Sequence, residues 1–460
     1  MKLSKWVLLG IALIGVMAVG AYLMLPPPEK IIPQVTYTTT YHKGTKWQIY
    51  TLVVKDQDGN PLSGVEVNYE QTDIDFKFSV EYESIPQDLF KDEYEKLYYG
   101  LGLNTIRFQA YLSWAQLEPQ KGEYNWFYEY PEGFRNTTDL GLNLPNFEED
   151  SKTFPEWTEP EDIDGKFKQD YEEFAKAFVS HYNGTVEVYR LGLEVNDGRW
   201  SGAAQGKSYD WAVDWLKWQC SLIKEIDPDA KISIDLAPEI LLIREGNPQE
   251  LDWTGLPLPK PMWEMEFIQK LVDKEVEFDI IGIELHPGLD CNLQDIREYL
   301  YMLEPFNRPI YIWETVIASA DTPLLAEESM LRGCYPEGGF TEEYQKEQML
   351  GLFEIAIENP KVIGIEYLSF VDDPQNLWSS NERFLYGGLL REDGTPKPAY
   401  YALRDYWHSL FTNGQATTDQ NGELTFNALP GTFTIKVDGE VVAEIEEEVP
   451  EEEEPCPVCP

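Results

Sequence analysis

Two carboxylates stand at the ends of apolar runs far apart in this sequence. Glu194 closes VEVYRLGLE and is followed by VNDGRW, and Glu314 closes PIYIWE before TVIAS. A single glutamate at the end of a strand-like run is weak evidence, because many such residues are structural ion-pair partners. Two that can be aimed at one point have a definite chemistry. Cleavage of a glycosidic bond needs one protonated carboxyl group to release the leaving oxygen and one ionised carboxylate to attack the anomeric carbon. A separation of about 5–5.5 Å makes the reaction retaining. Their mutual repulsion in a water-poor cleft raises the pKa of one of them and supplies the acid.

The elements around them predict how they meet. Short apolar strands alternate with helical periods, as in FKFSVEY, NTIRFQAY, GLNLPNF, VEVYRLGLE, KISIDLA, FDIIGIELH, PIYIWE and VIGIEYLSF. Eight such segments separated by helices are what a closed (β/α)8 TIM barrel requires, and they make the fold class α/β. In DGKFKQDYEEFAKAFVSHY, Phe167, Tyr171, Phe174, Ala175 and Phe178 recur at helical spacing and predict one buried face. The rival, an open doubly wound sheet, wants a glycine-rich phosphate loop after an early strand, and none is found. Barrel chemistry sits at the C-terminal ends of the strands. Glu194 on strand four and Glu314 on strand seven then face each other across the mouth. The same strand ends offer Arg107, Gln109, Tyr111, Trp114, Glu284, Tyr367 and Trp378 as a cleft lining, with Trp114 and Trp378 able to stack on sugar faces. Arg107 and Glu284 are too costly to bury alone, and Arg107 is expected to pair with a site carboxylate.

Outside the barrel, residues 73–412, the sequence changes character. DQDGNPLSGVEV in residues 34–72 and TTDQNGELTF with LPGTFTIKV in residues 413–444 alternate around Asn-Gly and Pro-Gly turns. Neither piece has enough strands to stand alone, so the two are expected to form one small accessory β-sandwich. Two separate strand additions to the barrel are the alternative. Residues 1–30 carry Lys2 and Lys5 before an apolar run from Trp6 to Leu25. A run of about 20 residues can cross a bilayer, which predicts a single-pass transmembrane helix with the catalytic region extracellular, or secretion if the segment is cleaved. Residues 445–460 form an acidic tail expected to be disordered.

Composition narrows the partners. Asp plus Glu number 82 against 36 Lys plus Arg, a net charge of −46, which repels nucleic acid and polyanionic polysaccharides and leaves neutral glycans. Five cysteines exclude a disulfide-built scaffold, and the CPVC tail lacks the second pair of ligands a zinc site needs, so no metal is expected. Carboxylates and water suffice for the chemistry, so no cofactor is expected either, and nothing in the sequence calls for more than a monomer.

Several motifs resemble those of the clan A glycoside hydrolases, and among them the family 10 endo-xylanases. GLNTIRFQAYLSWAQLEPQKGEYNW, FPEWTEP, IGIELHPG, PIYIWE and the closing REDGTPKPAYYALRDYW carry the likeness, which runs from about Thr51 to Tyr406. The resemblance implies an O-glycosyl hydrolase, endo-1,4-beta-xylanase-like, acting by double displacement. It makes Glu314 the nucleophile, Glu194 the acid/base and His286 the histidine that orients the nucleophile. The asparagine that precedes the acid/base in the clan is Leu193 here, and Asn196 is its expected substitute at the sugar 2-hydroxyl. The glycone-gripping lysine and asparagine of family 10 fall on Ser113 and Ala110, so xylan specificity does not transfer. The alternative reading is a catalytically inactive carbohydrate-binding cell-surface protein on the same barrel. Residues 34–72 and 413–444, joined in order, resemble the carboxypeptidase regulatory-like domain.

Overall fold

The computed structural model describes residues 33–41, 44–81, 92–108, 114–127, 134–140, 154–196, 207–237, 263–289, 291–375 and 382–447. The chain divides into two compact units. One takes Trp47–Thr72 and Thr412–Glu447 with the chain up to Tyr41, and the other takes His42–Lys46 and Asp73–Phe411. The apolar run from Trp6 to Leu25 lies outside the described residues, and among these no helix is long and apolar enough to cross a membrane.

In the first unit, β1 (Gln34–Tyr41) and β2 (Gln48–Lys55) precede β3 (Glu66–Ile74). The later strands of this unit are β12 (Asn413–Thr417), β13 (Glu423–Ala428), β14 (Gly431–Val437) and β15 (Glu440–Glu447). They make a three-stranded sheet, β1-β2-β13, and a four-stranded sheet, β12-β3-β14-β15. Alternation decides which side is buried: Tyr50, Leu52 and Val54 of β2 share a core with Phe426 of β13 and Phe433, Ile435 and Val437 of β14. Both sheets therefore mix strands from the two ends of the chain. Leu52 pairs with Leu424, and Tyr69 with Gly414.

The second unit is an eight-stranded parallel sheet of β4 (Lys77–Val80), β5 (Thr105–Phe108), β6 (Arg135–Asp139), β7 (Val188–Leu191), β8 (Lys231–Leu236), β9 (Ile280–Glu284), β10 (Ile310–Thr315) and β11 (Val362–Tyr367). Its order is β4-β11-β10-β9-β8-β7-β6-β5, which curls the sheet into a near-closed (β/α)8 barrel. The seam between β4 and β5 is closed by a side chain. Asn104 accepts from the Phe78 N–H at 2.9 Å through Oδ1, while its Nδ2 donates to the carbonyls of Ile74 and Phe76 at 3.0 Å each.

Helices alternate with the strands: α1 (Asp92–Gly100), α2 (Trp114–Leu117), α3 (Lys166–His181), α4 (Tyr209–Ile226), α5 (Glu264–Asp273), α6 (Leu293–Leu303), α7 (Pro323–Leu331), α8 (Glu342–Glu358) and α9 (Pro398–Ser409). Side chains start several of them as local chemistry dictates. Ser208 caps α4, Thr322 caps α7, Thr341 caps α8, and Asn292 and Asp295 form a capping box on α6. The apolar face read from Phe167 to Phe178 is the buried face of α3.

One strand differs from expectation. The third barrel strand was expected to begin at Gly141, in GLNLPNF, but it runs from Arg135 to Asp139, over RNTTD. Polar residues suit this strand because their hydroxyl groups are satisfied by the neighbouring strand. Thr138 Oγ1 donates to the Phe108 carbonyl at 2.9 Å and Thr137 Oγ1 to that of Ile106 at 3.4 Å.

The barrel interior shows why two strands carry glycine. Tyr311 and Trp313, two apart on β10, stack with ring centroids 3.9 Å apart. A Cβ on Gly282 of β9 would lie 2.6 Å from Trp313 Cδ1, and one on Gly364 of β11 would lie 2.7 Å from Tyr311 Cε2. Only glycine lets those rings fill the barrel.

Lys46 is buried against the C-terminal end of α8. Its ammonium donates to the carbonyls of Ala356 at 2.6 Å, Ile357 at 3.2 Å and Asn359, matching three donors to three acceptors at the negative end of the helix dipole. Burial pulls its pKa well below the usual lysine range. Lys46→Ala should cost about 2 kcal/mol, the typical value for buried acceptors left without their donor, and lower the melting temperature by a few degrees. A thermal melt unchanged from wild type would refute this role.

Candidate active site

The C-terminal half of the barrel holds a cluster of charges that no apolar core would tolerate unpaired. Arg107 projects from β5, Arg190 from β7, Asp235 from β8, Glu284 from β9, Glu314 from β10 and Glu366 from β11, and Glu81 lies just past β4. Arg190 is 1% exposed, and each of its amino groups is committed. Nη1 donates to Glu314 Oε1 at 2.9 Å, and Nη2 to Asp235 Oδ2 at 2.5 Å and to Glu284 Oε1 at 3.2 Å. Arg107 lies 2.8 Å from Glu366 Oε1 through Nε, 3.3 Å from Glu81 Oε1 through Nη2 and 3.9 Å from Glu314 Oε1 through Nη1. Ser79 Oγ donates to Glu366 Oε2 at 2.9 Å.

Glu314 is thus contacted by both guanidinium groups, and the local strand geometry helps. The pairing of β10 shifts register after Ile312 on both of its sides. Such an irregularity re-aims side chains. It lets Trp313 sit under the Arg190 guanidinium, 5.7 Å from its carbon to the ring centroid, while the next residue, Glu314, reaches the same guanidinium.

The electrostatic consequence separates the carboxyl groups. Burial pushes Glu284 well above the usual carboxyl range, and the charges of Glu314, Glu194 and Asp235 push the same way. Burial also raises Asp235 despite Arg190, and raises Glu366 to about 7 despite Arg107. Burial acts on Glu314 too, but Arg190 and then Arg107 overcome it and hold its pKa below the ordinary value. Glu314 is therefore the ionised carboxylate amid neighbours driven toward the neutral form.

Glu194 follows β7 through a strained turn. Gly192 has φ 67° and Glu194 itself φ 44°. A left-handed conformation costs a side-chain-bearing residue about 1–2 kcal/mol, the kind of strain that persists where the surroundings enforce it. Here Asp235 enforces it: the Glu194 N–H points to Asp235 Oδ2 at 3.5 Å and the Val195 N–H donates to the Asp235 carbonyl at 3.3 Å. Asn196 completes the clamp, because its amide donates to the Ala237 carbonyl at 3.0 Å and accepts from the Ala237 N–H at 2.8 Å. Fully buried, Asn196 supports the loop that carries Glu194, and Leu193 beside it is half-buried.

His286 lies two residues past the end of β9. Its Nδ1 accepts from the Val316 N–H at 3.3 Å, which leaves Nε2 to carry the ring's proton. Tyr367 is a buried strut: its hydroxyl donates to the Gly387 carbonyl at 2.6 Å and accepts from the Ile317 N–H at 3.3 Å. Trp114 corrects the sequence expectation. It has no exposed surface and cannot stack on a sugar. Its ring stacks on Phe174 at 4.9 Å, meets Phe167, Tyr171, Phe154 and Trp157 edge-on, and gives its N–H to Glu118 at 2.8 Å. An indole surrounded on every side by rings gains more from burial than from the rim. Gln109, Tyr111 and Trp378 lie outside the described residues.

Sequence reasoning missed Arg190, Asp235 and Glu366. Their signal was present: each is a lone charge inside an otherwise strand-like run, VYRL, SIDL and VIGIEY, where a side chain must face the barrel axis or an apolar helix.

No family model matches the sequence. A curated relative, endo-1,4-beta-xylanase B of Thermotoga neapolitana, is 26% identical over 247 residues, which cover 51% of this chain and 60% of that enzyme. The chain thus spans less than two thirds of that relative's length. Among solved structures, a GH10 protein of Paenibacillus barcinonensis superposes with a TM-score of 0.50 at 15% identity, over 73% of this chain and 96% of that one. The chain thus resembles an endo-1,4-beta-xylanase over part of its sequence and a GH10 protein in its fold. Xylanase 10B of Thermotoga petrophila RKU-1, solved with xylobiose, superposes with a TM-score of 0.49 at 18% identity, over 73% of this chain and 93% of that one.

Proposed function

We propose that this protein is a retaining glycoside hydrolase that cleaves a neutral, xylan-like β-glycan, with Glu314 as nucleophile and Glu194 as acid/base. The observation that carries this reading is the contact of Glu314 with two guanidinium groups. They hold it as a carboxylate at the C-terminal end of a barrel strand, the end where barrel enzymes do their chemistry.

In the first step Glu314 attacks the anomeric carbon, the bond to the leaving oxygen breaks, and Glu194 gives that oxygen its proton. A glycosyl ester of Glu314 results. In the second step water attacks the same carbon, Glu194 takes the proton back, and Glu314 leaves as a carboxylate. Arg190 and Arg107 keep Glu314 ionised before attack and make it a good leaving group afterwards. His286 and Asn196 position the two loops. The likeness to an endo-1,4-beta-xylanase supports a xylan-like chain as substrate, and the net charge of −46 favours uncharged chains over polyanions. The segment Trp6–Leu25 is proposed to hold the enzyme at the outer face of a membrane.

The test is product analysis by the full-length protein on a panel of neutral β-glycans and aryl β-glycosides. Proton NMR of the first-formed hemiacetal should show the β anomer, as double displacement requires. An α anomer formed first would replace retention by inversion. Equal inactivity of wild type and Glu314→Ala across the panel, with glycan binding retained, would establish the carbohydrate-binding alternative.

A further inference from the structure

The site holds more acids than its arginines can balance. Around Arg190 alone stand Asp235, Glu284 and Glu314, from β8, β9 and β10, all buried or nearly so. Three carboxylates cannot all be ionised against one guanidinium where water is scarce. The geometry says which one gives way. The Nη2 of Arg190 is nearer Asp235, at 2.5 Å, than Glu284, at 3.2 Å, and Nη1 is taken by Glu314. Asp235 and Glu284 share that one amino group, and two carboxyl groups held so close in a buried site repel unless one of them carries a proton.

We propose that Glu284 is the neutral acid of the three, so that Arg190 answers only two negative charges and serves as the positioning residue that fixes Glu314 as a carboxylate. This rests on the reading of Glu314 as nucleophile. The groups that face Glu284 agree with it. Asp235 from β8, Glu314 from β10 and Glu194 beyond β7 are all acidic and, with burial, drive its carboxyl up, while Arg190 from β7 is the opposing charge. An ionised Glu284 would compete for Nη2 and repel Glu314, undoing the selectivity that the nucleophile needs. A protonated glutamate, in contrast, has the shape and the donor of a glutamine.

The experiment has two arms on the full-length protein. The first is infrared difference spectroscopy at pH 7. Glu284→Gln should lack one protonated-carboxyl C=O band that wild type shows; superimposable spectra in that region would overturn the proposal whether or not the protein hydrolyses anything. The second is the pH profile of kcat/KM on an aryl β-glycoside. Arg190→Met should move the acidic limb up by about one pH unit or more, because loss of a nearby positive charge favours the protonated form of Glu314. The loss should fall on kcat more than on KM, and Arg190→Lys should recover part of it. Glu284→Gln should keep the limb where wild type has it, while Asp235→Asn should raise it. A limb unmoved in Arg190→Met, or moved equally by Glu284→Gln and Asp235→Asn, would refute the proposal. Wild type without activity would sink the hydrolase reading and leave the infrared arm to decide this one. If Arg190→Met fails to fold, Arg190→Lys and Glu284→Gln carry the test.

Discussion

Glu314→Ala should lower kcat roughly 10^5-fold, in line with the loss of other covalent nucleophiles. Glu314 is the carboxylate reached by both Arg190 and Arg107, and the other acids around Arg190 are pushed toward the neutral form. Removing it also strands two buried guanidinium groups, so folding must be checked by circular dichroism, with Glu314→Gln as the closer match in shape. The variant offers a positive signal too. A small anion such as azide can enter the space left by the carboxylate and attack an activated β-glycoside once, giving an α-linked product. A variant that kept more than about a hundredth of the wild-type rate would end the claim that Glu314 is the nucleophile.

Glu194→Ala should separate substrates by leaving group. For a glycan, whose departing alkoxide must be protonated, the loss should be about 10^3-fold, within the usual contribution of a positioned general acid. For an aryl glycoside with an acidic phenol, bond breaking needs little help, so the first step should survive. Deglycosylation still lacks its base, the glycosyl ester should accumulate, and KM should fall along with kcat. The pH profile gives a sign as well. A general acid works only while protonated, so activity falls as pH rises through its pKa, and the variant should lose that basic limb. Equal losses on both substrate types would exclude Glu194 as the acid.

The parts of the fold that could be read from the sequence were those whose burial is made of apolar side chains. IIGIE of β9 and IYIWET of β10 are strands on inspection, and the α3 face announces itself at Phe167, Tyr171, Phe174 and Phe178. RNTTD of β6 could not be read this way, because hydroxyl bonds to the next strand satisfy its buried residues. Trp114 misled for a related reason: an aromatic rich in partners looks the same in sequence whether it faces a cleft or Phe174. Glu194 and Glu314 stood out because they end apolar runs, whereas Arg190 and Asp235 sit inside theirs and declare themselves only once the strands are side by side.

The pairing of strands from the two ends of the chain has a consequence for biosynthesis. The Val65 N–H donates to Thr418 Oγ1 across 353 residues. At roughly 5–20 residues per second, a ribosome would spend on the order of tens of seconds between delivering β3 and delivering β12. Throughout that interval Tyr50, Leu52 and Val54 have no inner sheet to cover them, so nascent chains of this protein should depend on holding chaperones, and truncation before Thr412 should yield aggregation at the amino-terminal strands.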